Sequence, residues 1–190
     1  MPPDGYQAVR DNHVWRDHEL RLLTTAGAIA WLEPRSVADP ACGDASIEIE
    51  LLRLRNLDQL YLGDISAPQI EYNQRAAELN HGRTHVTHRV CDAIDFLDGL
   101  VFVDVVVLTE ILEHVEDPES ILRAARGKAS HLVASSPLGE KPEHNNHEHV
   151  WSWDKDDYRA MLVSTGWRPI AYQELSFDPP FYTFQLWVCE

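Results

Sequence analysis

Four side chains have the types and spacing to bind an ion or move a proton: Glu110, Glu113, His114 and, much further along, His149. If 110–114 is helical, offsets of three and four place the first three on one face. Two carboxylates and two imidazoles suit a divalent cation. The imidazoles alone suit general-base work, because histidine titrates near neutral pH. A second constellation is acidic. Asp39, Asp64 and Asp92 each close a short apolar run, and Asp39 leads into Pro40-Ala41-Cys42-Gly43-Asp44-Ala45-Ser46. An apolar strand, a tight turn of small residues and then a helix is how α/β nucleotide sites bring backbone close to a ligand. Asp64 falls about 20 residues beyond Gly43, where an acid can accept from both hydroxyls of a ribose. Asp92 is placed to accept from an adenine amino group. A single strand-end aspartate also reads as a helix or turn cap. Three in succession after such a turn point to a nucleoside.

The elements that would position these groups follow from periodicity. Val14, Trp15, Leu22, Leu23, Ala26, Ile29 and Ala30 recur at helical spacing and predict a helix over 12–32, ended by Glu33-Pro34-Arg35. Strands are expected at 36–39, 59–64, 85–90, 100–108 and 131–135. The intervening helices start near Ser46 and span 67–79, 118–126 and 155–165, with Pro68 in the first turn of its helix. Two further strands, about 168–175 and 182–189, flank a Phe-Asp-Pro-Pro turn. Alternating strands and helices closed by a hairpin predict an α/β fold: a doubly wound, mostly parallel sheet with an antiparallel strand near one edge. Ligands of such sheets sit beyond the carboxyl ends of the strands, where strand order reverses. Asp39, Asp64, Asp92, Thr109 and Glu110 would then share one rim.

Composition narrows the partners. The 190 residues predict a single domain, 1–190, with 31 acidic against 16 basic side chains and a formal charge of −15. Such a field repels phosphate backbones and argues against nucleic acid. Cys42, Cys91 and Cys189 lack framework spacing and predict reduced thiols in a cytoplasmic setting, with Cys42 and Cys91 packing as small hydrophobes. The N-terminus lacks a signal-peptide pattern. The longest apolar run, Leu100 to Leu108, contains Asp104 and falls short of the ~18 residues a membrane span needs.

Val-Ala-Asp-Pro-Ala-Cys-Gly (37–43), Tyr-Leu-Gly-Asp (61–64), Val-Cys-Asp-Ala (90–93) and Val-Val-Val-Leu-Thr-Glu-Ile-Leu-Glu-His-Val-Glu-Asp-Pro (105–118) resemble class I S-adenosylmethionine-dependent methyltransferases. The resemblance runs from about residue 12 onward. It implies a seven-stranded sheet with helices on both faces, and a cofactor over the end of the first strand. There it would meet Asp39, Ala41, Cys42, Gly43, Thr109 and Glu110, with ribose on Asp64 beside Ile65 and adenine near Asp92 and Ala93. It also implies that the 12–32 helix packs over the cofactor, with 1–20 and 138–153 as lid. Ala41 and Ala45 stand where the family's turn carries glycine, each adding a methyl where backbone should approach the cofactor.

The expected reaction is methyl transfer to oxygen or nitrogen of a small-molecule acceptor, leaving S-adenosylhomocysteine. Glu113, His114 and His149 form the catalytic group, with His114 or His149 as base and no metal. The alternative is similarity to metal-dependent small-RNA 3′-terminal 2′-O-methyltransferases. Their Glu-x-x-Glu-His and Asp-His-x-Phe-Glu-Trp stretches match Glu110, Glu113, His114 and Glu148-His149-Val150-Trp151-Ser152-Trp153, with Ser152 at the last acid. Net acidity and the lack of a basic–aromatic pattern favour the small acceptor. A cofactor-binding accessory protein without turnover is a third possibility. Asp178-Pro179-Pro180-Phe181 resembles the catalytic tetrapeptide of DNA adenine methyltransferases, but that tetrapeptide must follow the fourth strand to reach a flipped base. Here it lies in the final hairpin and reads as a turn. His144 and His147 read as solvated or lid-lining, and Trp167 as core. Trp151 and Trp153 alternate across a short extended piece, so that one can face the acceptor pocket while the other packs.

Overall fold

The computed structural model describes residues 16–80, 82–140, 148–176 and 183–190. The elements in order are α1 (Arg16–Trp31), β1 (Ser36–Asp39), α2 (Ser46–Leu54), β2 (Gln59–Asp64), α3 (Ala67–Arg75), α4 (Ala77–Asn80) and β3 (His85–Val90). They continue with α5 (Ala93–Asp98), β4 (Val103–Thr109), a single 3-10 turn (Leu112–His114), α6 (Pro118–Arg126), β5 (Ala129–Pro137), α7 (Lys155–Ser164), β6 (Pro169–Leu175) and β7 (Phe184–Cys189).

All seven strands form one sheet in the order β3-β2-β1-β4-β5-β7-β6. β1 to β5 pair in parallel, and β7 runs antiparallel to both β5 and β6. Strand order reverses between β1 and β4, which pair through Val37–Val105 and Ala38–Val106. That reversal opens the crevice in which such sheets bind ligands.

The central strand shows why the layers form. Along β4, Val106 and Leu108 join the apolar cluster around Phe96, Leu122, Tyr158, Trp167 and Trp187. Val105 and Val107 join the opposite cluster around Ala26, Ile29, Leu51 and Ile70. Period-two alternation thus feeds both faces, as a strand covered by helices on each side requires. Trp167 lies in the core as expected, its indole donating to Leu122 O at 3.0 Å. Gly63 on β2 is obligatory for packing, since a Cβ there would stand 2.4 Å from the Phe96 ring.

Several boundaries differ from the sequence expectation. The 67–79 helix is interrupted at Ala76, whose ψ of 118° ends α3 before α4 begins. β4 starts at Val103, leaving Val101 and Phe102 exposed. Asp92 is the N-cap of α5, a helix that apolar spacing did not announce because it is only six residues long. The 110–114 segment is not an α-helix: Glu110 takes φ 54° on leaving β4, and only Leu112–His114 closes a turn. Of the expected 12–32 helix, 12–15 lie outside the described residues, as do residues 1–11, His144, His147 and the Asp178-Pro179-Pro180-Phe181 turn.

Candidate functional site

The turn after β1 is built by hydrogen bonds that converge on it from three elements. Asp39 Oδ1 accepts from the Ala41 amide at 2.8 Å. Asp64, at the end of β2, accepts from the Gly43 amide through Oδ2 (3.0 Å) and from Ser66 through Oδ1 (2.8 Å). The Cys42 amide donates to Gly63 O at 2.9 Å. From α3, the fully buried Asn73 donates Nδ2 to Gly43 O at 2.8 Å. Gly43 has φ 51° and nothing within 4 Å of the place a Cβ would occupy, so backbone faces open space there. Each carboxylate oxygen has capacity for a second donor, so Asp64 can bind a hydroxyl while holding the turn. These properties fit a nucleoside cofactor.

Two sequence expectations at the turn change meaning. Ala45 also adopts a left-handed conformation, φ 56°, but it is wholly buried among Ala26, Ile29 and Leu51. Its methyl therefore packs in the core and does not crowd the ligand side; Ala41 stays partly exposed. Asp92 uses Oδ1 to cap Asp95 N at 2.8 Å, leaving Oδ2 as its outward acceptor beside Ala93. Ile65 is 78% exposed at the rim.

Glu48 of α2, missed at the sequence level, lies against Asp39 with both carboxyl oxygens sealed from solvent. Burial raises both acids, Asp39 to about 6, and the Asp39 charge raises Glu48 further. Burial likewise pushes the Cys42 thiol up, which makes it an inert packing group.

The exit of β4 forms the second half of the site. Glu110 leaves β4 with φ 54°, off any shared helical face with Glu113 and His114, and its Oε1 accepts from Ser135 Oγ at 2.7 Å. Glu113 is 1% exposed, with neither carboxyl oxygen hydrogen-bonded among the described residues. Burial, then the nearby Glu110 charge, lift Glu113 to about 9. His114, His149 and Glu113 offer ligand atoms that all lie within 4.8 Å of one another. The two rings meet edge to face with centroids 4.6 Å apart. Of the four-residue set Glu110, Glu113, His114 and His149, three come together and Glu110 does not.

The 148–151 segment is stapled onto this turn. Val150 and Trp151 amides donate to Glu113 O at 2.7 and 3.2 Å. His114 Nδ1 donates to Glu148 O at 3.0 Å, and the Trp151 indole to Val115 O at 2.9 Å. His149 Nδ1 lies 2.5 Å from Glu140 Oε2, a residue no motif had marked. Carbonyl and carboxylate oxygens accept, so both histidines carry a proton on Nδ1. Trp153 is buried and Trp151 exposed, the rings 6.2 Å apart and nearly parallel.

Two concavities lie away from this chemistry. One of about 810 Å³ sits on the outer face of α1, α2 and α3, lined by Leu22, Leu23, Ile49 and Tyr72, and touches the turn through Asp44 and Ser46. Another of about 470 Å³ lies beside Trp151, Trp153 and Met161. The strand-end crevice is a better ligand site than either, because backbone amides, paired acids and histidines converge there.

Residues 38–128, from the end of β1 through α6, match the methyltransferase domain family. The structure is similar to magnesium protoporphyrin IX methyltransferase (ChlM) from Synechocystis PCC 6803 with bound S-adenosylhomocysteine. The two are 18% identical, covering 98% of this chain and 94% of that one, with a TM-score of 0.74. N-methyltransferase NodS from Bradyrhizobium japonicum WM9 is 15% identical over 94% of this chain and 88% of its own, with a TM-score of 0.73. The methyltransferase domain of bacterial CtHen1-C is 16% identical over 92% of this chain and 98% of its own, with a TM-score of 0.70. No curated protein matches the sequence. Residues 38–128 thus carry the methyltransferase-domain match, and the fold of the whole chain is the one these three solved structures share.

Proposed function

We propose that the enzyme methylates an oxygen or nitrogen of a small-molecule acceptor, with His149 as general base. The observation that carries this reading is the His149–Glu140 pair, side chains 9% and 4% exposed, next to the β4 exit. The bound sulfonium cofactor supplies an activated methyl, so displacement needs positioning and removal of one proton. As the acceptor atom bonds the methyl carbon, the carbon–sulfur bond breaks and the acceptor proton passes to His149 Nε2. Glu140 fixes the tautomer and stabilises the imidazolium that results. His114, tied by Nδ1 to Glu148 O, orients the acceptor.

For the cofactor, Asp64 takes the ribose hydroxyls, Asp92 and Ala93 with Ile65 border the adenine, and Asp39, Ala41, Cys42, Gly43, Thr109 and Glu110 border the methionine part. Among the described residues no helix is long and apolar enough to cross a membrane. The three cysteines are free, which supports a reducing, cytoplasmic setting.

A second reading is favoured by the clustering of Glu113, His114 and His149: a divalent cation held by these three. Glu110, the fourth residue of that motif, is engaged by Ser135, so we rank it second.

The test is calorimetric titration with S-adenosylmethionine beside a labelled-methyl transfer screen over metabolite and RNA pools. His149→Ala is expected to bind cofactor like wild type and to lose at least ~100-fold in transfer rate, the usual scale of a general base. Wild-type transfer rates in His149→Ala would refute the base assignment. Activity abolished by chelation and restored by Mn²⁺ would establish the second reading in place of the first.

A further inference from the structure

The concavity beside Trp151 has a chemistry of its own. It encloses about 470 Å³, within the range of small-molecule sites, and lies between the N-terminus of α6 and the 151–153 segment. Its floor is Trp151, Trp153 and Met161. Trp153 and Met161 are each 8% exposed, whereas Trp151 is 43% exposed. The two indole planes lie 12° from parallel with centroids 6.2 Å apart, so together they offer one broad aromatic surface. That surface is fixed in place. The Trp151 indole donates to Val115 O at 2.9 Å, and Trp153 meets Tyr158 edge to face with centroids 5.4 Å apart. A ligand that lands there orders little side chain on binding.

The rim is acidic. Glu116, Asp117 and Glu119 stand on it against a single base, Arg123, and Arg123 is already paired with Glu119 one helical turn away. Asp117 caps α6 by accepting from the Ser120 amide at 3.1 Å, which answers the positive end of that helix. Glu116 is exposed and has neither an ion pair nor a hydrogen bond among the described residues. An uncompensated carboxylate therefore stands beside exposed indole, and both attract a cation. A hydrated metal ion wants oxygen ligands in place of indole and thioether. An anion is repelled, and a neutral apolar group leaves the charge of Glu116 unused. We propose that this concavity binds the alkylated ammonium group of a small organic cation, with the indoles of Trp151 and Trp153 against its alkyl groups and Glu116 facing its charge. Trp151 follows His149 by two residues, so this pocket adjoins the strand-end site through one short segment. The inference does not rest on the use of S-adenosylmethionine or on the choice of base or acceptor.

The experiment titrates the full chain with choline and with its uncharged carbon isostere, in which a tert-butyl group replaces the trimethylammonium. The indole N–H signals of Trp151 and Trp153 are followed by NMR. Choline should saturate with a dissociation constant of about 10 mM or lower and bind at least ~5-fold more tightly than the isostere, the scale of a cation on an aromatic face. Trp151→Leu keeps apolar area but loses the ring, and should weaken choline at least ~3-fold. Glu116→Gln, on the exposed rim where folding is not at stake, should weaken choline at least ~2-fold and leave the isostere unchanged. Equal affinity for choline and the isostere would show an apolar hollow with no preference for charge. No saturation by choline at about 10 mM would show that no such site exists. Choline binding unmoved by either substitution would put the cation elsewhere on the acidic surface. Each of these results overturns the assignment, and none of them bears on cofactor binding or methyl transfer.

Discussion

Ala45 has a buried methyl on a left-handed backbone, φ 56°, so it balances strain against packing. Replacing it by glycine relieves the strain of roughly 1–2 kcal/mol but gives up ~0.8 kcal/mol of buried carbon and ~0.5–1 kcal/mol of chain entropy. Denaturant unfolding of Ala45→Gly should therefore shift by less than about 1 kcal/mol, whereas Ala45→Val, β-branched and overpacked, should cost roughly 2–4 kcal/mol. Glu113 makes a different prediction. Burial raises it from the usual 4.5 to about 9, so the folded state holds a proton that the unfolded chain releases. Its contribution is fully present below pH 4.5 and is lost as pH rises towards 9. Glu113→Gln should flatten the fall in unfolding free energy across that window and be more stable than wild type at its alkaline end. A steeper fall in the variant would contradict a buried, protonated Glu113.

At the scale of elements, the site depends on one clamp. Glu113 O receives the Val150 and Trp151 amides, and the Trp151 indole reaches Val115 O while its ring lies over Trp153. Removing the indole costs a hydrogen bond and an aromatic contact, together about 1–2 kcal/mol. Hydrogen exchange of the Val150 amide should accelerate ~5–30-fold in Trp151→Ala, with amides of β4 and β5 unaffected. Uniform acceleration across the sheet would show that the segment is part of the global fold and not a locally opening cover. The backbone here also explains why Glu110 does not share a helical face with Glu113 and His114. Its left-handed backbone ends β4 abruptly, and the turn that follows is too short to align offsets of three and four.

At the scale of the whole molecule, charge is the dominant peculiarity. With 31 acids against 16 bases, self-repulsion works against the compact state. Raising ionic strength from 0.01 to 0.15 M shortens the screening length from ~30 to ~8 Å. The melting midpoint should rise by about 2–4 °C, corresponding to roughly 1 kcal/mol. A midpoint that falls with salt would mean that ion pairs such as Arg35–Asp58 and Arg75–Glu71 outweigh the net repulsion.

Hydrophobic periodicity and strand-end acids by themselves determined the sheet, its final hairpin and the rim carrying Asp39, Asp64 and Thr109. These depend on local alternation, and alternation decides which face of an element is buried. The same patterns placed His149 near Glu113 and His114 only through family resemblance. Tertiary structure alone decided the rest. It brought Asn73 under Gly43, Glu48 against Asp39, Glu140 onto His149, and Arg21 with Phe184 beside Glu110. It also turned the Ala45 methyl inward and paired Glu110 with Ser135. Each is a contact between segments whose separation in sequence carries no period. Only the closing of the sheet and the docking of α1 set which of them meet.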